Sequence, residues 1–213
     1  MSQRSLFKRS GYSFLRVLSR LVVVLFFRIR CRNRQRVPTE GGALVCSNHQ
    51  SFFDPVLVGV GFHRRLNYLA RKTLFRFGPF RWMIEFLDAI PIDREGFGLG
   101  GIKETLKRLK RGEMVLIFPE GTRTTDGEVS RLKPGFVALA RRGKVPLLPI
   151  GLDGAYESWP REAPLPRPAP IHVWFGEPIT PAMMDDLTDE QLVEELERRI
   201  RHCHAQARSA RLR

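Results

Sequence analysis

The sequence predicts an α/β fold, a single mixed sheet covered by helices and led by a basic amphipathic helical segment. Three observations carry that expectation. Short apolar runs alternate with stretches of helical periodicity from residue 43 onward, the pattern of a sheet whose faces are both covered. A length of 213 residues supports one sizeable core rather than two. The positive charge is concentrated at the start, where residues 1–36 carry ten Lys or Arg and no Asp or Glu, against a net charge of +14 for the whole chain. The chain therefore divides into a basic membrane-interface segment, residues 1–36, and an α/β domain, residues 37–213.

The first segment contains "FLRVLSRLVVVLFFRI". Arg9, Arg16 and Arg20 fall on one side of a helix, while Phe14, Leu15, Val17, Leu18, Leu21, Val22, Leu25 and Phe26 fill much of the rest. A basic, aromatic-rich helix of this kind suits the interface of an anionic membrane. Arg16 and Arg20 interrupt any window of the ~20 apolar residues a spanning helix needs. The run also leads into "RIRCRNRQR" rather than a small-residue cleavage site, which argues against a signal peptide. Cys31, Cys46 and Cys203 are odd in number and lack metal-binding spacing, as expected in a reducing compartment.

Beyond the "EGG" punctuation, strands are expected at 43–47, 66–70, 89–92, 114–118, 145–151 and 171–176. Helices are expected at 55–62, 74–86, 102–111 and 134–142. Ile102, Leu106 and Leu109 mark the apolar stripe of the third. "PREAPLPRPAP" at 160–170 reads as a rigid loop. A last helix begins near Asp189, introduced by a capping box from Thr188 to Gln191 and carrying Leu192, Val193, Leu196 and Ile200 on one face.

Chemistry concentrates in two segments. "NHQSFFD" leaves the C-terminal end of the first strand, where α/β sheets commonly bind ligands. Asp54, ahead of Pro55, stands where a helix N-cap is expected, and a tight turn brings its carboxylate back to His49. Such a contact protonates one imidazole nitrogen and leaves the other free as a general base near neutral pH. No protein nucleophile accompanies the pair, so the attacking hydroxyl must come from the substrate. The second segment, "FPEGTRT", follows an apolar strand. Its glycine, hydroxyl and arginine offer backbone N–H groups and a planar fork suited to a phosphate. Arg94, after "AIPID", and Lys133, at the start of a helix, add positive charge.

"NHQSFFD" resembles the HxxxxD motif of the glycerolipid acyltransferases, and "FPEGTRT" resembles their third motif, in the same order and at a similar separation. "IPIDR" matches the second block, though with Pro91 and Asp93 around a single arginine, and "VPLLPIGL" matches the fourth. The resemblance is to the 1-acylglycerol-3-phosphate acyltransferase family and covers roughly residues 38–180. It implies that His49 deprotonates the free hydroxyl of a lysophospholipid, which attacks an acyl thioester, while Asp54 orients the imidazole. It also implies that Arg94, Glu120, Gly121, Thr122, Arg123 and Lys133 bind the acceptor and its phosphate. The expected product is phosphatidic acid from 1-acyl-sn-glycerol-3-phosphate, with glycerol-3-phosphate or a lyso-aminolipid as alternative acceptors. The donor is acyl-CoA or acyl carrier protein as a co-substrate, with no cofactor and no metal.

The expected setting is peripheral or monotopic, on the cytoplasmic face of a membrane. The 64–82 segment, with six basic residues, five aromatics and no acid, fits an anionic interface or an acyl-chain channel. The alternative from another class is a non-catalytic membrane-binding protein whose α/β domain presents a basic face, for which His49→Ala would leave function untouched. Nucleic acid is not expected as a partner, because no helix-turn-helix, zinc finger or RNP-like segment is present. His63, His172, His202 and His204 read as structural.

Overall fold

A computed structural model of the chain describes residues 24–71, 90–92 and 98–213. Most of the basic N-terminal segment, the helix expected at 74–86 and Arg94 lie outside the described residues. Seven strands form one sheet: β1 (Arg30–Arg32), β2 (Ala43–Ser47), β3 (Leu66–Arg71), β4 (Ile90–Ile92), β5 (Met114–Ile117), β6 (Leu147–Asp153) and β7 (His172–Phe175), in the order β1-β7-β6-β2-β5-β3-β4. Pairing is parallel from β6 across to β4 and antiparallel between β6 and β7, so the sheet is mixed, as expected.

The helices are α1 (Asp54–Val60), α2 (Gly98–Lys110), α3 (Gly135–Gly143), α4 (Ala155–Ser158), α5 (Pro181–Asp185) and α6 (Asp189–Arg211). Two of them, α4 and α5, are short turns that the sequence pattern is too brief to announce.

The strands read as continuous apolar runs because both faces are covered. Every residue of β2, β5 and β6 is buried. Alternation then sorts them by face. Leu44, Cys46, Val115, Ile117 and Leu147 pack with Leu109 of α2, Phe136 and Leu139 of α3, and Leu192, Leu196 and Ile200 of α6. On the other face, Ala43, Val45, Leu116, Leu148 and Ile150 pack with Leu57, Val58 and Val60 of α1 and with Phe62 and Phe175.

The capping box of α6 is present, with Thr188 Oγ1 accepting from the Gln191 N–H and Gln191 Oε1 accepting from the Thr188 N–H. Close approach of α6 to the sheet depends on Gly151, since a Cβ there would lie 2.1 Å from His204 N and 2.2 Å from the Cys203 carbonyl carbon. This contact puts His204 beside the C-terminal end of β6.

The sequence did not announce β1, which pairs in parallel with β7, Arg30 opposite His172 and Arg32 opposite Trp174. Its "RCR" looks like a solvated basic run, yet charged side chains are common on an edge strand, where they deter further pairing. Residues 30–36, assigned by charge to the interface segment, are thus joined to the sheet. Arg34 donates to the Gly61 carbonyl at 2.7 Å, and Arg36 donates to the Phe175 carbonyl at 2.9 Å and pairs with Glu177. Arg64 likewise turns inward, donating to the carbonyls of Pro38, Gly41 and Gly112.

Candidate active site

The turn between β2 and α1 is fixed at its first residue. Asn48 is buried, and its side chain imitates a neighbouring strand: Nδ2 donates to the Leu152 carbonyl at 2.9 Å, and Oδ1 accepts from the Leu152 N–H at 2.7 Å. The turn therefore leaves β2 welded to β6.

His49 follows. Its Nδ1 lies 2.7 Å from Asp54 Oδ2, which also accepts the backbone N–H groups of Gln50 at 2.5 Å and Ser51 at 2.8 Å. Asp54 is not the expected N-cap. It is the first residue of α1, Phe53 occupies the cap position without a side-chain bond, and the carboxylate folds back over the preceding turn. With Asp54 fully buried and the His49 side chain 20 % exposed, the carboxylate is sequestered while the ring reaches the surface. A carboxylate accepts from Nδ1, so the proton belongs on Nδ1 and the lone pair on Nε2. Stacking on Phe118, with centroids 4.0 Å apart and planes 15° apart, fixes the ring's tilt.

The second motif grips the same residue. Beyond β5, Glu120 Oε1 accepts from the His49 N–H at 2.7 Å and Oε2 accepts from the Ser130 N–H at 2.8 Å. Burial pushes the Glu120 carboxyl above its ordinary range, and those N–H groups oppose the push. The Thr124 N–H donates to the His49 carbonyl at 2.8 Å. Both backbone polar groups of His49 are thus held by the "FPEGTRT" segment, which brings the two motifs into one site.

Gly121 has φ +73°, a left-handed conformation that favours glycine. The Lys133 side chain lies against it, with Nζ 3.0 Å from where a Cβ would stand. Thr122 and Lys133 are exposed and Arg123 is half-buried. Among the described residues, neither Arg123 nor Lys133 has an ion-pair partner. Two cations beside the histidine turn are therefore available to an anion.

Sequence reasoning missed a buried cluster at the end of β6. Asp153 is held by Arg208 at 3.2 Å and Arg211 at 2.5 Å, with His204 Nε2 at 3.3 Å. Burial alone would raise its carboxyl, but these contacts hold it down at about 2. The cysteine thiols of Cys46 and Cys203 are pushed up by burial, Cys203 to about 12, which leaves them inert. Among the described residues no cluster of His, Cys, Asp and Glu could hold a metal ion.

Beside the turn runs an aromatic row. Phe27 touches Phe53 with centroids 6.1 Å apart, Phe53 touches Trp159 at 4.6 Å, and Trp159 meets Phe52 edge-on at 5.7 Å. Val24, Leu25 and Phe26 are exposed just before it. No helix among the described residues is long and apolar enough to cross a membrane.

Known proteins match this chain in sequence and in fold. A family model described as Acyltransferase matches residues 28–153. The 1-acyl-sn-glycerol-3-phosphate acyltransferase of Bacillus subtilis is 32% identical over 198 residues, covering 89% of this chain and 95% of that protein. The enzyme of the same name from Pseudomonas aeruginosa is 32% identical over 181 residues, covering 83% of this chain and 67% of that one. The crystal structure of the 1-acyl-sn-glycerophosphate (LPA) acyltransferase from Thermotoga maritima superposes with a TM-score of 0.83 at 23% identity, covering 98% of this chain and 84% of that one, so the two share a fold. A histidine turn clasped by the "FPEGTRT" loop on this sheet, together with these matches, places the chain in the acyltransferase family.

Proposed function

We propose that the protein transfers a fatty acyl group from an acyl thioester to the free hydroxyl of 1-acyl-sn-glycerol-3-phosphate, giving phosphatidic acid. The observation that carries this reading is the 2.7 Å contact between His49 Nδ1 and Asp54, which leaves Nε2 as the base. Nε2 takes the hydroxyl proton as the alkoxide attacks the thioester carbonyl. The tetrahedral intermediate then collapses, the C–S bond breaks, and the imidazolium returns the proton to the leaving sulfur, which departs as the free thiol and restores neutral His49. Asp54 stabilises that imidazolium from its buried position.

The acceptor phosphate binds Arg123 and Lys133, with Thr122 completing the cradle; the Gly121 N–H is already given to the Phe118 carbonyl at 3.0 Å, so this glycine serves by admitting the Lys133 side chain rather than by donating, and Arg94 is a further arginine for the phosphate. Glu120 takes a different part from the one its motif implied. Both of its oxygens are already bound to backbone N–H groups, so it holds His49 in place rather than touching the acceptor.

The donor is acyl-CoA or acyl carrier protein, arriving from the aqueous side, and the reaction needs no cofactor. The exposed apolar residues 24–26 and Phe52, together with the basic residues that precede them, support a peripheral or monotopic seat on the cytoplasmic face of a membrane.

The test is thiol release from an acyl thioester by the purified full chain, with 1-acyl-sn-glycerol-3-phosphate, glycerol-3-phosphate and a lyso-aminolipid as acceptors. The first should react fastest, and His49→Ala should lower the rate by ~100-fold or more while vesicle binding is unchanged. Equal thiol release by wild type and His49→Ala would overturn the reading.

A further inference from the structure

Gln50 follows His49 in the chain and is only 1 % exposed. Its amide makes four hydrogen bonds, as many as an amide group readily forms. Oε1 accepts from the N–H groups of Ala155 at 3.1 Å and Tyr156 at 3.3 Å, and Nε2 donates to the Gly127 carbonyl at 2.8 Å and meets His204 Nε2 at 3.2 Å. The partners belong to the start of α4, the turn after "FPEGTRT" and the middle of α6. Two N–H groups face one end and a carbonyl faces the other, so the amide orientation is unambiguous.

The same residue also touches the dyad, since its backbone N–H donates to Asp54 Oδ2. Force on the Gln50 side chain is therefore transmitted to the carboxylate that orients His49. His204 Nε2 stands between the Gln50 amide, Asp153 Oδ1 at 3.3 Å and an Arg208 nitrogen at 3.5 Å, and so ties Gln50 to the buried Asp153 cluster.

We propose that Gln50 is a positioning residue for the reaction, its buried amide locking the histidine turn against α4, the Gly127 turn and His204. The proposal rests on the acyltransferase reading above. Its role is to keep the Asp54–His49 bond aligned rather than to bind either substrate.

Gln50→Met keeps the length and most of the volume while removing all four side-chain bonds. Val193→Ala, on the core face of α6 and remote from the turn, controls for lost stability alone. The expected result for Gln50→Met is a fall in kcat of ~10–100-fold with the acceptor KM within ~3-fold of wild type. The proton resonance of His49 Nδ1, assigned by its absence in His49→Ala, should also shift or broaden. Val193→Ala should leave both unchanged at a comparable fall in Tm. The resonance reports on the turn even where no acylation is detected, so failure of the enzymatic reading is seen separately, in the wild-type assay. An unaltered resonance with unaltered kcat in Gln50→Met, or a loss that Val193→Ala reproduces, overturns the proposal.

Discussion

The backbone N–H of His49 donates to Glu120 Oε1 at 2.7 Å, across 71 residues of sequence. His49, the base of the proposed reaction, is therefore anchored by a residue of the other motif, and neither motif can shift without the other. Glu120→Gln offers only one acceptor where two N–H groups now converge, and turns an NH2 toward the second. A buried unsatisfied donor costs ~1–3 kcal/mol, so we expect a measurable fall in Tm together with a loss of kcat of ~10-fold or more. Steady-state kinetics beside thermal unfolding checks this, and full activity in Glu120→Gln would contradict it.

Asp54→Asn separates charge from shape. Among the described residues every donor to Asp54 converges on Oδ2, and Oδ1 is buried without a partner. An asparagine can keep its oxygen at the Oδ2 place, but its NH2 is then orphaned and the imidazolium loses its counter-charge. We expect kcat to drop by ~100-fold or more with little change in acceptor KM, typical of disabling a general base. A kcat within threefold of wild type would argue that Asp54 merely shapes the turn.

Arg123→Ala should act on acceptor binding. Losing a charge-assisted bond worth ~1.5–3 kcal/mol raises KM for a phosphate-bearing acceptor by ~10–100-fold, whereas the donor KM stays put. Arg123→Lys should recover only part, because an ammonium cannot make the forked contact. Initial-rate measurements varying each substrate in turn distinguish the two constants.

Acid stability should depend on Asp153. Its folded-state carboxyl lies at about 2 against an ordinary 3.8, so its contribution is present above the unfolded value and is lost as pH falls through the folded one. The window runs from about pH 4 down to about pH 2, and the difference amounts to about 2 kcal/mol. Denaturant titrations across that range should show a steeper loss for wild type than for Asp153→Asn, which is less stable at neutral pH and flatter in acid. Parallel curves would mean the carboxyl is not depressed.

Gly151→Ala should be among the most damaging small substitutions. The new methyl group meets backbone atoms of Cys203 and His204, which no rotamer can clear. Overpacking of ~3 kcal/mol corresponds to a Tm drop of ~6–12 °C in a domain this size. Displacing α6 also withdraws His204 from Gln50, so activity should fall with it. Thermal unfolding near the wild-type value would show that α6 can yield.

Much of the fold is legible in the local sequence. Buried strands such as "ALVC" and "MVLI" announce themselves because apolar side chains on both faces leave no polar alternation, and Thr188 with Gln191 marks the start of α6 by local chemistry alone. Long-range function is harder to read. The Asn48 partner lies 104 residues away, and those of Gln50 77 to 154 away. Nothing in the local sequence distinguishes such residues from ordinary polar turn formers. Asp54 misleads for the opposite reason: an aspartate before a proline is the usual sign of an N-cap, and only the fold reveals that its carboxylate is claimed by the turn behind it. The strand at Arg30–Arg32 is hidden because arginines in a basic run look solvated until a neighbouring strand gives them an edge to occupy.

The contact of Phe27 with Phe53 has a mechanical consequence. From Val24 the polypeptide enters the globule against the loop that carries the imidazole, Phe27 lying on Phe53. Under the membrane seat and the base role proposed above, the level that Val24–Phe26 take in a lipid layer sets the level of the imidazole, and an alcohol held much deeper or shallower is out of its reach.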